Sequence, residues 1–345
     1  MKHIQIERKS KVLPEDIARE HLQGVGMPVI IMDATENWPA RSKWTFEFFK
    51  SAYGSDLAFA SLGFGSAIGK VTTLSAYIKF LDAASTELPG IWKGKEIGKD
   101  GPPLQPASGG IGSPFYLLGW FAFRQHPELY DDIAPAPYFV QDLVSTLNPT
   151  LRNVFEGTSN IEYTAVFIGP EGSLSPLHRD FWSTHAYLAQ IRGRKRAILF
   201  SPKDSDFLYG GRVDPEQPDF ERFPLFDCAT AYECIIEPGD TLLIPANWLH
   251  HVRGLEKSIT LSHNFFNDSN FSQHMIHMLR NLPLMAGGID GSPIWREELR
   301  IKWRLSDFTV TDARLTSASL HNSSDDHQKG PAGHLADDRT VIETP

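Results

Sequence analysis

The chain has 345 residues, of which 41% are apolar and 22% charged, and its 33 basic and 42 acidic side chains give a formal net charge of −9. This composition is typical of a soluble globular protein with a sizeable core and argues against wholesale disorder. The net negative charge also argues against binding to nucleic acid or to an anionic membrane through a broad basic surface.

The first residues of the sequence do not resemble a targeting signal. Residues 1–9 lack the apolar stretch of a secretory signal, and no apolar run reaches the ~20 residues that span a bilayer. The two cysteines, Cys228 and Cys234, are too few for a disulfide framework. We therefore expect a cytoplasmic protein without a membrane partner.

The N-terminal third reads as a mixed α/β region. Pro14, followed by two acidic residues, predicts a helix start, and the apolar run at 28–32 predicts a short buried strand. Residues 94–114 are rich in Gly, Pro, Ser and Lys and predict a long surface loop that shapes substrate access. We expect residues 1–115 to form one region that packs on the core.

The central part of the sequence is different and consists of short β runs. Turn residues such as Pro238 and Gly239 separate these runs. Many short strands at this spacing predict a sandwich or barrel, which we place at 116–270. The runs lie at 163–168, 186–191, 196–200, 232–236, 241–244 and 258–262.

The C-terminal part predicts two helices and a tail. Residues 271–286 carry apolar side chains on one helical face, and Ser292 and Pro293 start a second helix. We assign 271–308 to a helical pair. Residues 309–345 are polar and predict a disordered tail.

Candidate metal ligands occur at two places in the β region. His178 and Asp180 lie two residues apart, and alternate side chains of a strand share one face. His250 and His251 follow on a late strand but cannot both point the same way. Two histidines and one carboxylate with open positions form the facial triad of non-haem Fe(II) oxygenases.

An isolated His-x-Asp occurs by chance in many proteins. Here the motif is better evidence for a metal site because it opens the β region. The residues alone do not choose between His250 and His251. Four further histidines are candidates for structural or substrate-proximal roles: His185, His263, His274 and His277.

These motifs, together with the Gly193–Arg196 run and the Trp248-Leu-His250 segment, resemble those of the JmjC/cupin-like Fe(II)- and 2-oxoglutarate-dependent oxygenases. The resemblance extends to the branch that includes the asparaginyl hydroxylase of the hypoxia-inducible factor and its bacterial cupin-like relatives. It implies a mainly β fold, a double-stranded β-helix (jelly roll) with flanking N-terminal and C-terminal helices. It also implies a homodimer through the C-terminal helices.

The resemblance assigns roles to individual residues. The metal ligands would be His178, Asp180 and His250, the last because the family's ligand directly follows a Trp-x pair. Lys195 would anchor the distal carboxylate of 2-oxoglutarate. The sequence departs from many relatives at Ala186, where an Asn is common, and we expect Thr184 to substitute. Three further co-substrate contacts are implied: Ser175, Asn264 and Tyr163.

The implied activity is hydroxylation of a C–H bond in a protein or peptide side chain, with Fe(II), 2-oxoglutarate and O2 consumed to give succinate and CO2. No residue beyond the metal ligands would act catalytically. A small metabolite or an RNA base remains an alternative substrate. A metal cupin dioxygenase that does not use 2-oxoglutarate and a non-catalytic cupin-like scaffold are the alternatives from other classes.

Overall fold

Short strands, many of them buried, dominate the part of the protein that the computed structural model describes, which is residues 1–61, 69–82, 88–93, 115–120, 122–143 and 163–277. The predicted loop at 94–114, residues 278–308 of the predicted helical pair and the predicted tail at 309–345 lie outside these residues. The strands are β1 (Lys2–Gln5), β2 (Arg8–Lys9), β3 (Val29–Ile31), β4 (Leu57–Ser61), β5 (Gly69–Thr73), β6 (Ile91–Lys93), β7 (Tyr116–Gly119), β8 (Thr164–Gly169), β9 (Leu174–His178), β10 (His185–Arg192), β11 (Lys195–Phe200), β12 (Thr230–Ile236), β13 (Thr241–Ile244), β14 (Leu249–Gly254) and β15 (Ser258–Phe265).

Helices are short and lie mainly in the N-terminal part. The α-helices are α1 (Pro14–Ile17), α2 (Ala40–Lys43), α3 (Phe46–Tyr53), α4 (Leu74–Asp82) and α5 (Ala122–Gln125), a π-turn spans Ala18–Leu22, and 3-10 turns span Pro127–Ile133, Phe181–Ser183, Pro202–Gly211 and Pro224–Cys228. Residues 271–277 are helical as well, and we call them the C-terminal helix segment. No helix in the described ranges has the length and apolar character needed to cross a membrane.

Strands β8 to β15 form the core, with four antiparallel strands in each of two sheets. Over the described residues the minor sheet has five strands, in the order β1-β12-β11-β14-β9, and the major sheet has ten, in the order β2-β3-β13-β10-β15-β8-β7-β4-β5-β6. The backbone passes from one sheet to the other after most strands, which is the jelly-roll arrangement. The predicted fold class is thereby confirmed, and each of the six predicted β runs coincides with a strand to within three residues.

Apolar side chains fill part of the space between the two sheets. Ala197, Leu199 and Val252 of the minor sheet pack against Leu188 and Leu242 of the major sheet. Because side chains alternate along a strand, these contacts fix which residues of β11 and β14 point inward. Lys195 on β11 and His250 on β14 share the inward parity of these apolar residues.

Both outer faces of the barrel are covered. On the major sheet, aromatic side chains of the N-terminal region, Trp44, Phe49 and Trp120 among them, pack with Ile259 and Leu261 of β15. The minor sheet is covered by the connection between β11 and β12, whose apolar side chains pack on Ile198, Phe200 and Leu249. The two sheets are therefore held from outside as well as across the interior.

Candidate metal centre and carboxylate pocket

Three potential metal ligands meet at one end of the minor sheet. His178 is the last residue of β9 and pairs directly with His250 on β14, so their rings lie 4.1 Å apart between centroids. The Oδ1 atom of Asp180 lies 4.0 Å from Nε2 of His178 and 3.8 Å from Nε2 of His250. One ligand atom from each residue lies within 4.8 Å of the others. This spacing suits three ligands of a single ion.

The hydrogen bonds of the two histidines determine which ring nitrogen carries the proton. Nδ1 of His178 donates to the carbonyl oxygen of Pro176 at 2.7 Å, and Nδ1 of His250 donates to that of Trp248 at 3.3 Å. A neutral imidazole has one N–H group, so Nε2 of each ring keeps the lone pair that a metal binds. Both lone pairs belong to the atoms that lie nearest to Asp180.

Burial keeps both rings in the neutral form. It lowers the pKa of His178 to about 3, with a further contribution from nearby His250, and it lowers the pKa of His250 to about 4. Neutral imidazole is the form that ligates metals. Two such nitrogens and one carboxylate are the donor set of a non-haem Fe(II) facial triad, so the residues present fit an iron ion.

His251 points to the opposite face of β14. Its Nε2 lies 3.3 Å from Oε2 of Glu216, which also accepts a hydrogen bond from Nε of Arg253 at 2.5 Å. Although burial acts to raise it, the nearby His251 ring and the hydrogen-bonded Arg253 guanidinium bring the pKa of Glu216 down to about 2. Asp214 lies close enough to complete a second His/carboxylate cluster, but the guanidinium already neutralises Glu216. We interpret this group as an ion-pair network.

Lys195 is a buried cation without an acidic partner among the described residues. Its side chain is 2% exposed, and its Nζ donates to the hydroxyl of Tyr116 at 3.0 Å. Burial lowers the pKa of Lys195 to about 7, and no carboxylate of the described ranges offsets this effect. A buried cation of this kind is costly unless an anion binds to it. The arrangement is therefore suited to a carboxylate ligand.

Polar side chains lead from Lys195 toward the metal ligands. Ser175 lies near the Tyr116 hydroxyl, where it acts against the rise that burial causes in the pKa of Tyr116. Alternate residues of β14 pair with three residues of the site on the neighbouring strands. His250 pairs with His178, Val252 with Ser175, and Gly254 with Lys195. Ser175 therefore lies between the cation and the metal ligands along the strand.

A β-bulge gives Ser175 its inward direction. His178 is three positions after Ser175 on β9, whereas their partners, Val252 and His250, are two positions apart on β14. An extra residue in one strand reverses the alternation of side chains beyond it. Ser175 and His178 therefore face the same side, which strict alternation would forbid.

The other predicted co-substrate contacts lie in the major sheet or beside it. Nδ2 of Asn264 donates to Oγ1 of Thr184 at 3.1 Å, and Oγ1 of Thr184 donates to the carbonyl of Phe181 at 2.9 Å. Thr184 thus uses its single proton within the protein, while Asn264 keeps a second amide proton. The structure brings these two residues together as a pair, and their role at the co-substrate stays a prediction.

Tyr163 lies in a different environment from Lys195. Its hydroxyl is 3.4 Å from Nε2 of His274, and its ring packs edge-on against Phe181. The tyrosine beside Lys195 is Tyr116 on β7, 79 residues away in sequence. The sequence gives Tyr116 no distinguishing signal, because it stands in an aromatic segment that reads equally well as core.

His185 and His263 have structural contacts. Nδ1 of His185 accepts from the backbone N–H of Ala246 at 2.9 Å, and its Nε2 donates to Oγ of Ser269 at 2.9 Å. His263 shares a 2.8 Å hydrogen bond with Thr164 on the outer face of the major sheet. In this arrangement neither ring is directed at the triad.

Comparison with known protein families agrees with this geometry. Residues 122–273 match the family described as a cupin-like domain. The matched segment contains all three candidate metal ligands and Lys195.

Comparison with characterised proteins finds relatives across most of the sequence. It is 28% identical to the arginine-specific demethylase JMJ20 of Arabidopsis thaliana, over 78% of this chain and 58% of that protein. It is 30% identical to lysine-specific demethylase 8 of Xenopus tropicalis, over 71% and 49%. It is also 30% identical to the 2-oxoglutarate and iron-dependent oxygenase JMJD4 of Gallus gallus, over 45% and 36%. The chain spans about half the length of the curated relatives it matches.

Proposed function

The chain belongs to the JmjC/cupin-like family of Fe(II)- and 2-oxoglutarate-dependent oxygenases, and on this premise we propose that it hydroxylates a C–H bond in a protein or peptide side chain. The observation that carries the proposal is the pairing of two features in one barrel. One is a buried His/Asp/His set in which both Nε2 atoms are nearest to the carboxylate. The other is a buried lysine that meets no acidic partner among the described residues.

His178, Asp180 and His250 would hold Fe(II), which when bound supplies the activation of O2 that no amino-acid side chain provides. The protein's part is to fix these ligands. The β9–β14 ladder positions the two histidines, and the hydrogen bonds to Pro176 and Trp248 fix their orientation. Outer partners of this kind raise ligand affinity by holding the ring and its tautomer.

Lys195 and Tyr116 would hold the distal carboxylate of 2-oxoglutarate. The ammonium supplies the counter-charge, and the Tyr116 hydroxyl lies within hydrogen-bond distance of it. Ser175 is nearer to the metal ligands along the strand, and it would contact the 2-oxoglutarate molecule between the two carboxylate ends of that molecule. The rings of Tyr116 and Phe167, 5.5 and 6.0 Å from Nζ, shield the cation from water.

Affinity for 2-oxoglutarate should fall as the pH rises above 7. Only the ammonium form of Lys195 binds a carboxylate well, and burial places the pKa of this group at about 7 before the ligand binds. Above that pH each unit should weaken binding by about tenfold, because a proton must be taken up. Calorimetry at pH 8 in buffers of different ionisation enthalpy should detect uptake of nearly one proton. Binding without proton uptake would contradict the role of Lys195.

Removing the Tyr116 hydroxyl should weaken 2-oxoglutarate binding without abolishing it. In Tyr116→Phe the ring still shields Lys195, but one hydrogen bond near the charged pair is lost, which is worth about 1.5–3 kcal/mol, or roughly 10- to 150-fold in Kd. Tyr53→Phe is the matched control, because the Tyr53 hydroxyl contacts Glu128 in the N-terminal region instead. An equal loss in both variants would sink the assignment of Tyr116.

The substrate class is supported by the relatives. Two of them carry names that describe demethylation of arginine or lysine, which are protein side chains. Demethylation begins with hydroxylation of an N-methyl carbon, which is the same insertion of oxygen into a C–H bond as hydroxylation of a carbon within a side chain. The acidic balance of the sequence makes a nucleic-acid substrate the weaker alternative.

A mass-spectrometric substrate screen tests this class. The Fe(II)-loaded protein would be incubated with 2-oxoglutarate, ¹⁸O2 and either protein extract or RNA, beside an Asp180→Ala control. We expect peptides that gain one ¹⁸O atom. Loss of a methyl group with formaldehyde release would instead establish demethylation. Labelled bases in RNA, with unlabelled peptides, would overturn the proposed substrate class.

A further inference from the structure

Three non-glycine residues beside the candidate metal ligands have left-handed backbone conformations. Trp182 and Ser183 follow Asp180 by two and three residues, with φ of 48° and 56°, and Asn247 precedes His250 by three, with φ of 67°. For Trp and Ser this conformation costs on the order of 1 kcal/mol or more and persists only where the surroundings impose it, whereas Asn adopts it more readily. The loops that carry Asp180 and lead to His250 therefore need contacts from elsewhere.

One segment supplies these contacts to the Asp180 loop. Nδ2 of Asn270 donates to the carbonyl of Ser183 at 2.8 Å, and Nδ1 of His274 donates to the carbonyl of Trp182 at 2.9 Å. Both carbonyls belong to the left-handed residues. His274 is completely buried, and its ring stacks on Phe266 with centroids 4.2 Å apart.

A second set of bonds joins the two ligand loops. Oγ of Ser183 donates to Oδ1 of Asn247 at 2.7 Å, so Nδ1 of His277, at 2.8 Å, must donate to the same hydroxyl. Nδ2 of Asn247 in turn donates to Gln273 at 3.3 Å. The C-terminal helix segment and the residue before it thus contact all three left-handed residues of the two loops.

We propose that residues 270–277 form a clamp that sets the position of Asp180 relative to the two histidines, with Asn270 and His274 as positioning residues for the metal. The inference rests on the proposed function, since it requires that the triad binds an ion. His178 and His250 lie on paired strands and are fixed by the ladder. Asp180 lies beyond the end of β9, and the clamp holds the loop that follows it through the carbonyls of Trp182 and Ser183.

Mn(II) affinity, measured from the loss of the aqueous Mn(II) electron paramagnetic resonance signal, tests the clamp. His274→Phe keeps the stacked ring but removes the donor, and Asn270→Asp replaces one donor by an acceptor. His274→Asn restores a donor close to the position of Nδ1. The matched control on the same helix is Ile276→Ala, because the Ile276 side chain is exposed and can neither donate nor accept a hydrogen bond.

We expect His274→Phe and Asn270→Asp to weaken Mn(II) binding at least about tenfold, as for other residues that orient a metal ligand. His274→Asn and Ile276→Ala should bind like the wild type. A folded His274→Phe protein with unchanged affinity would overturn the clamp; should that variant not fold, Asn270→Asp decides by the same criterion. If the wild type itself does not bind Mn(II), the proposed function fails, and the clamp with it.

Discussion

Replacing Lys195 by methionine should abolish 2-oxoglutarate binding and at the same time stabilise the unliganded protein. The carboxylate loses its buried counter-charge, which is worth at least about 2.7 kcal/mol, or a hundredfold in Kd. Methionine has a similar length and fits an environment of aromatic rings. Few substitutions at a ligand pocket are expected to lower the ligand affinity and raise the stability of the unliganded protein.

The gain in stability follows from the direction of the pKa shift. Burial lowers the pKa of Lys195 from 10.5 to about 7, so the unfolded state binds more protons than the folded one between these values. The destabilisation is complete below pH 7 and disappears as the pH rises to 10.5. At neutral pH its upper bound is about 4–5 kcal/mol, at ~1.4 kcal/mol per pKa unit.

Thermal unfolding and calorimetry on the same samples check both halves of this prediction. Lys195→Met should melt a few degrees higher than the wild type at pH 7, and the difference should shrink at pH 10. Lys203→Met is the matched control, because Lys203 is exposed and lies in the turn that follows β11, outside the strand that carries Lys195. A Lys195→Met protein that is less stable, or that still binds 2-oxoglutarate tightly, would refute the assignment.

The second large effect is expected at neighbouring histidines. His250→Ala should weaken metal binding by more than about a hundredfold, because it removes a ligand and not merely an outer partner, whose loss costs ~10- to 100-fold. His251→Leu should leave the affinity within about threefold, because that ring faces Glu216 on the other side of β14.

This pair is informative because the two residues are adjacent and both buried. General damage to β14 would lower metal affinity in both variants, whereas ligation affects only one. Mn(II) titration with circular dichroism to verify folding would suffice. Loss of binding in His251→Leu, with His250→Ala unaffected, would reverse the ligand assignment.

The sequence predicted the barrel and the triad because both depend on local periodicity. Short β runs separated by turns indicate strands wherever they pack, and His178 and Asp180 stand close together in any extended segment. The choice of His250 over His251 needed the structure or the resemblance. Because side chains alternate along a strand, only one of the two histidines can face the metal, but alternation does not show which face of β14 points into the barrel.

Other parts of the site depend on contacts that periodicity does not encode. The inward direction of Ser175 comes from a β-bulge, and strict alternation would have placed it opposite to His178. Tyr116 reaches Lys195 from a strand 79 residues away. The clamp residues Asn270 and His274 act on backbone carbonyls whose strain appears only in the folded protein.

The most direct measurement is succinate formation from 2-oxoglutarate in the absence of added substrate. Anaerobically prepared, Fe(II)-loaded protein would be mixed with 2-oxoglutarate and exposed to air, beside His178→Ala and Lys195→Met. We predict succinate above both controls for the wild type, together with 2-oxoglutarate binding that requires the metal. A wild type that binds neither metal nor 2-oxoglutarate, and forms no succinate, would contradict the proposal that this barrel is an iron-dependent oxygenase.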